Sequence, residues 1–317
     1  MPVPAGLASL RMHIRILGSA AGGGFPQWNC NCRNCDGVRT AHVSARPRTQ
    51  SSIAIRGADE CAWTLINASP DVLAQLRSNP QLQPGRANRD TGIRNIVLTD
   101  SQVDHTTGLY MLRENTQPWP VWCTDHVFSD LTSGNPILQV LKHYCGVDRR
   151  RIAIDESWFT VDGAEDLRWQ AIPIPGKPAP YSPRRESPER GDVIALFVED
   201  VSNERRVLYA PALANIDPHV FELMQAADCV LVDGTFWSED EMLERGVGRK
   251  RASDMGHLPQ SGPDGMIDWL DRLPSATRRV LIHINNTNPI LVDDSPERRM
   301  LQDHDIEVAC DGMEIVL

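Results

Sequence analysis

Apolar positions along the chain gather in short runs, separated by polar, glycine-rich or proline-rich turns. That pattern predicts strands alternating with short helices. Met12 to Gly18 alternates as a strand, and the segments Arg46 to Ile55 and Trp63 to Asp71 predict two strands joined by a turn at Gly57 to Glu60. Ser69-Pro70-Asp71 opens a helix through Leu76, with proline at a position a helix start tolerates. Pro80 to Gly92 is a polar loop, and Ile96 to Thr99 is a β-branched apolar run expected as a buried strand. Gly108 to Leu112 is expected as helix, Val121 to Thr124 as strand, and His126 to Tyr144 as helix interrupted at Gly134-Asn135-Pro136. Further strands are expected at Val193 to Val198, Arg206 to Ala210, from Cys229 to Asp233, and at Arg279 to Ile284, with a helix over Asp217 to Ala226. Between Ile172 and Arg190 six prolines exclude both helix interior and central strand. Because strands resume directly afterwards, this segment is read as a stiff loop within one domain.

A chain of 317 residues can bury a substantial core. Its net charge of −10 argues against nucleic acid as a partner. No apolar run reaches membrane-spanning length, and Met1 to Ser9 has none of the marks of a secretory signal, so a cytoplasmic enzyme is expected. Residues 1–11 are read as an N-terminal extension to a single domain spanning 12–317.

The chemistry sits at the ends of these runs. Cys30, Cys32 and Cys35 form C-x-C-x-x-C, which in a chain expected to keep its thiols reduced points to a structural zinc site lacking one ligand. His42, seven residues past Cys35, could fold back to supply it. The remaining cysteines (Cys61, Cys123, Cys145, Cys229, Cys310) are read as core. The loop Ser19 to Phe25 has glycines but neither phosphate-binding spacing, so its glycines are read as permitting close backbone approach to a neighbouring site. Asp104 and His105 follow a strand and a polar turn, where both can face one cavity. Asp233 ends an apolar strand, as either a functional group or a turn cap. His257 lies in a polar, glycine-flanked loop, open as ligand, base or surface residue. His283, near the end of a buried strand and followed by Asn285 and Asn286, is costly to bury without a partner.

The stretch Asp100 to His105, D-x-Q-x-D-H, resembles the H-x-H-x-D-H signature of the metallo-β-lactamase superfamily, with Asp100 and Gln102 in place of its first two histidines. The stretches Leu17 to Cys35, Asp100 to Leu109, Val232 to Trp237 and Val280 to Leu291 are similar to the coenzyme PQQ (pyrroloquinoline quinone) biosynthesis protein B family. The resemblance implies an α/β fold, the metallo-β-lactamase-like αβ/βα four-layer sandwich. It also implies that Asp104, His105 and His283 hold one active-site metal, with His257 as acid/base and Asp233 orienting it or the ligands. Pro211 stands where the hydrolases of the superfamily carry a bridging aspartate. The zinc-completing histidine of phosphodiesterase relatives corresponds to Asn286, which is preferred here over His42 as the fourth zinc ligand.

Two histidines and one carboxylate with open positions are the ligand set of non-haem Fe(II) oxygenases. Together with the family resemblance, this implies Fe(II)- and O₂-dependent hydroxylation of the tyrosine ring in a small glutamate–tyrosine-derived peptide precursor, in concert with other PQQ biosynthesis proteins. Arg46, Arg48, Lys177 and Arg184 are candidates to pair with substrate carboxylates. Two further readings stay open: a carrier or transport protein for PQQ or its precursor, and a two-metal hydrolase of the ancestral type.

Overall fold

A computed structural model describes residues 11–317 except Glu60, the last residue of the turn expected at Gly57 to Glu60; of the expected extension over residues 1–11, residues 1–10 lie outside the described residues. The strands are β1 (His13–Gly18), β2 (Ser52–Arg56), β3 (Trp63–Ile66), β4 (Ile93–Val97), β5 (Trp119–Cys123) and β6 (Val147–Arg151). They continue as β7 (Trp158–Val161), β8 (Ala164–Pro173), β9 (Ile194–Asp200), β10 (Arg206–Ala210), β11 (Cys229–Asp233), β12 (Arg278–Ile282), β13 (Ile306–Val308) and β14 (Glu314–Val316). They build two seven-stranded sheets, β14-β1-β2-β3-β4-β5-β6 and β13-β12-β11-β10-β9-β8-β7.

Each sheet is mixed. Strands β3 to β6 are parallel to one another, as are β10 to β13, while the other pairings are antiparallel. Ile14, Ile55 and Ile66 of one sheet meet Trp169, Leu196 and Leu231 of the other in a continuous apolar layer. Outside the first sheet, Val72, Leu109 and Leu138 carry short helices onto it; outside the second, Val220, Leu270 and Leu301 do the same. Helix, sheet, sheet, helix is the expected αβ/βα four-layer order. Sheets covered on both faces explain why β2, β3, β9 and β11 are buried at every position and lack the polar–apolar alternation of a half-exposed strand. Among the described residues no helix is long and apolar enough to cross a membrane.

Several expected elements shift. Strand β2 begins only at Ser52, because the preceding segment instead bridges the glycine loop, Gln50 beside Ala20 and Arg48 beside Phe25. Strand β4 ends at Val97 rather than Thr99, since the Asn67 side chain takes the Thr99 amide at 3.0 Å. Strand β12 stops at Ile282 because His283 adopts a left-handed φ of 62°. The helix expected over 126–144 splits into Asp125–Ser129, a wide π-type turn at Asp130–Gly134, and Ile137–Leu141. The proline segment expected as a loop from Ile172 begins inside β8, whose Ile172 and Pro173 still pair with Ala195 and Ile194; it is a loop only from Ile174 onward. Strands β6 to β8, β13 and β14 have no counterpart in the sequence reading, although β8 alternates in burial over most of its ten residues. Of the dispersed cysteines only Cys123 and Cys229 are fully buried; Cys61, Cys145 and Cys310 are half-buried and not core.

Candidate metal centre

Parallel strands deliver their C-terminal ends to one edge of the sandwich, where α/β proteins place functional groups. The turn after β4 carries Asp100 to His105, β11 ends on Asp233, and His283 follows β12. The helical turn Val103–Thr106 is seated by backbone bonds from Ala68 to the His105 carbonyl (2.7 Å) and from Gly108 to the Ala68 carbonyl (2.8 Å). A Cβ on Gly108 would stand 2.2 Å from the Ser69 carbonyl oxygen, so only glycine permits this approach. On the other side Gly22 brings its backbone against Asp104, where a Cβ would lie 3.2 Å from the carboxylate, in keeping with the reading of the glycine loop.

One ligand atom each from Asp104, His105 and His283 lies within 4.8 Å of the other two. Asp104 Oδ2 stands 3.4 Å from His283 Nε2 and 3.8 Å from His105 Nε2. Ligands about 2.1 Å from a common ion sit roughly 3 to 3.5 Å apart, so small side-chain adjustments suffice to close the site. The hydrogen bonding selects the same atoms. His105 Nδ1 lies 2.8 Å from both oxygens of buried Asp100, which places its proton there. In the neutral ring Nε2 is then the lone-pair nitrogen, buried and without a hydrogen-bond partner among the described residues. The Thr235 hydroxyl donates to the His283 carbonyl (2.9 Å) and so accepts from His283 Nδ1 (2.9 Å), leaving Nε2 of that ring turned to Asp104 Oδ2 at 3.4 Å. An orphaned buried imidazole nitrogen beside a carboxylate is what a metal site looks like from its ligands.

Charge follows this geometry. Burial pushes the Asp104 carboxyl up, but His105 and His283 hold it well below the usual carboxylate range. Burial works to lower His105, yet Asp100 and Asp104 raise it to about 9. Beside this group, His257 Nδ1 is 2.7 Å from Asp233 Oδ2, and its ring stacks on His283 with centroids 5.5 Å apart. Asp233 also accepts the amides of Leu213 (2.8 Å) and Thr235 (2.9 Å), so its oxygens are committed to holding His257 and the loop. Burial opposes it, but the Asp233 charge lifts the His257 pKa above its ordinary value.

These groups line a cavity of about 280 Å³. Asp104, His105, His257 and His283 meet there, with Asp233 behind His257, and Lys177 is at its wall. The other cations expected to face substrate do not. Arg48 is buried, donating to the Ala309 carbonyl at 3.2 Å, and Arg184 is spent on Asp192 and Asp130 at 2.5 and 2.8 Å. Arg46 is exposed and lines no part of this cavity. The sequence reading missed Arg185 and Lys250, which do line it, and Asp100 as the anchor of His105.

The cysteines form a second group. Sγ atoms of Cys30, Cys32 and Cys35 lie together, and Asn286 Nδ2 approaches them at 3.1, 3.6 and 3.4 Å. A half-turn of that carboxamide would present its oxygen instead. Asn34 ties the loop to the chain after β12 by donating to the carbonyls of Asn286 (3.1 Å) and Asn288 (2.9 Å). The Cys35 thiol hydrogen-bonds Cys32 and, against burial, holds the Cys32 thiol below its ordinary pKa, the direction that favours a metal-binding thiolate. His42 is exposed, its Nδ1 bonded to Thr40 Oγ1 at 2.8 Å, and it does not belong to this group.

A model of the "Beta-lactamase superfamily domain" matches residues 62–284. "Coenzyme PQQ synthesis protein B" of Azoarcus sp. (strain BH72) is 58% identical over 306 residues, covering 96% of this chain and 100% of that protein. Among solved structures, Zn(2+)-bound PqqB from Methylobacterium extorquens is similar with a TM-score of 0.87 and 36% identity, over 96% of this chain and 100% of that one. A diphosphatase from the PhnP family shares the fold at a TM-score of 0.67 and 16% identity, over 97% of this chain and 98% of that one.

Proposed function

The chain belongs to the coenzyme PQQ synthesis protein B family, and on that premise we propose that it hydroxylates the tyrosine ring of a small glutamate–tyrosine-derived precursor of PQQ. Asp104, His105 and His283 would hold a single Fe(II). The observation that carries this reading is the fate of the positions that hydrolases use for their first metal and for the bridge between the two. Asp100 is turned onto His105 Nδ1, Gln102 donates to the Lys177 carbonyl at 2.9 Å, and Pro211 replaces the bridging carboxylate. What remains is a set of two histidines and one carboxylate with open positions, suited to oxygen chemistry rather than two-metal hydrolysis.

Fe(II) bound by these residues supplies the one-electron steps that O₂ needs before it can react with a closed-shell ring. In the net reaction a ring C–H becomes C–OH with one oxygen atom of O₂. The other leaves as water, taking two electrons and two protons from an external reductant. The chain's own part is positioning and proton handling. Asp100 and Thr235 fix the imidazoles of His105 and His283 in the tautomer that points Nε2 inward. His257, held by Asp233, is placed to take the phenol proton, which raises electron density on the ring. The cysteine group with Asn286 suits a structural zinc.

Anaerobic loading with Fe(II), followed by L-glutamyl-L-tyrosine, ascorbate and O₂, tests the proposal. A product heavier by one oxygen, labelled from ¹⁸O₂, is expected. Binding of the dipeptide with no oxygen-dependent product would instead support the carrier reading.

A further inference from the structure

The cavity wall carries a cationic group that neither the fold nor the metal site requires. Lys177 and Arg185 come from the proline-rich loop after β8, and Lys250 from the loop leading to His257; all three line the cavity that holds Asp104, His105 and His257. Among the described residues none of the three has a carboxylate within 4.0 Å, while their neighbours Arg184 and Arg251 are paired with Asp192 and Asp240. Among the described residues the Arg185 guanidinium makes one hydrogen bond, to the Pro178 carbonyl, which braces the loop and leaves its charge uncompensated. In a chain of net charge −10, three unpaired cations around one concave site are a local reversal of field. The carboxylates inside do not cancel them, because Asp100 is bound to His105 and Asp104 faces His105 and His283.

Lys177 is also held in place. The Gln102 carboxamide donates to its carbonyl at 2.9 Å, from the position of a lost superfamily histidine. Gly256 also packs against it, so closely that a Cβ there would lie 3.3 Å from the Lys177 amide nitrogen. A lysine gripped by its backbone at two points, its ammonium unpaired, is arranged for a ligand.

We infer that Lys177, Arg185 and Lys250 form a clamp for the carboxylates of the substrate, with Gln102 as a positioning residue for Lys177. This rests on the reading of the cavity as the substrate site. A dipeptide-sized dicarboxylate fits the chemistry: its ring goes to the metal group and its carboxylates stay at the cationic wall. Such charge-assisted contacts act equally before and during reaction, so they govern binding rather than the chemical step.

The experiment is calorimetric titration of anaerobic, Fe(II)-loaded protein with L-glutamyl-L-tyrosine, alongside steady-state hydroxylation. Lys177→Gln, Arg185→Gln and Lys250→Gln should each raise Kd and KM by about tenfold to a hundredfold while kcat stays within about twofold. Amidating one dipeptide carboxylate should cost the parent protein a similar factor, and cost nothing further in the variant that has lost its partner. Lys177→Arg should restore binding, and Gln102→Leu should add nothing to Lys177→Gln. Unchanged Kd in all three glutamine variants, with hydroxylation intact, would overturn the clamp and leave the proposed activity standing. Charge-dependent dipeptide binding without hydroxylation would keep the clamp and overturn the activity. Pyrophosphate binding more tightly than the dipeptide, through the same residues, would also overturn the clamp.

Discussion

Both carboxylate oxygens of Asp100 stand 2.8 Å from a single nitrogen, His105 Nδ1, in a pair that is almost wholly buried. The residue that replaces a metal ligand of the hydrolases has thus become the group that aims one of the remaining ligands. Removing its charge while keeping its shape should reveal this. Asp100→Asn is expected to weaken Fe(II) binding by about tenfold to a hundredfold, the usual range for a lost partner behind a ligating histidine. Metal titration under anaerobic conditions measures it, and unchanged affinity would refute the role.

His283 tests the triad itself. His283→Ala should abolish active-site metal while the zinc of Cys30, Cys32 and Cys35 remains, because the two groups share no side chain. Metal analysis by plasma mass spectrometry distinguishes them; full iron occupancy in the variant would remove His283 from the ligand set.

Much of this was legible in the sequence, and the division is physical. Asp104, His105, Asp233 and His283 announce themselves because each ends or follows an apolar run, and the ends of buried strands converge. The second partners do not. Gln102 reaches Lys177 across 75 positions and Asn34 reaches Asn286 across 252, and no local pattern encodes such pairs. Arg48 and Arg184 show the converse error: a cation's charge does not say which way it points, and both are consumed inside the fold. Strand β6, Val-Asp-Arg-Arg-Arg, is an edge strand whose exposed charges mask its conformation, as edges that resist further pairing require.

The acid limb of activity should report His257. Its pKa is raised in the folded protein because Asp233 stabilises the imidazolium, and a base must first lose that proton. Asp233→Asn should therefore move the acid limb of kcat/KM to lower pH, while His257→Ala should keep iron and lose turnover by about two to four powers of ten. A limb that stays put in Asp233→Asn would assign it to another group.

Metal-stripped protein should show a stability signature of its own. His105 has a folded pKa of about 9, above the ordinary imidazole value, because Asp100 and Asp104 hold its charged form. A raised folded pKa contributes stability that is fully present below the unfolded pKa of about 6.5 and is lost as pH rises through about 9. Melting temperatures of the stripped protein should thus fall between those pH values more steeply than those of Asp100→Asn. Iron binding displaces the same proton, so iron affinity should rise over that window. Parallel melting curves for the two proteins would contradict the assignment.

The cysteine site joins the N-terminal loop to the end of β12, and its fourth position decides how tightly. Asn286 already contacts all three sulfurs through its carboxamide, and its own backbone carbonyl is held by Asn34. His42 faces away, bonded to Thr40. An amide oxygen is a weaker zinc donor than imidazole, so Asn286→His should tighten zinc, and Asn286→Ala should loosen it, while His42→Ala changes nothing. Cys32→Ser should lower zinc content and melting temperature together, because the metal closes a link between distant segments. It should also weaken iron binding, since Asn286 lies three residues from His283. Competition with a chromogenic chelator gives the zinc affinities. Loss of zinc in His42→Ala, with Asn286→Ala unaffected, would give the fourth position to His42.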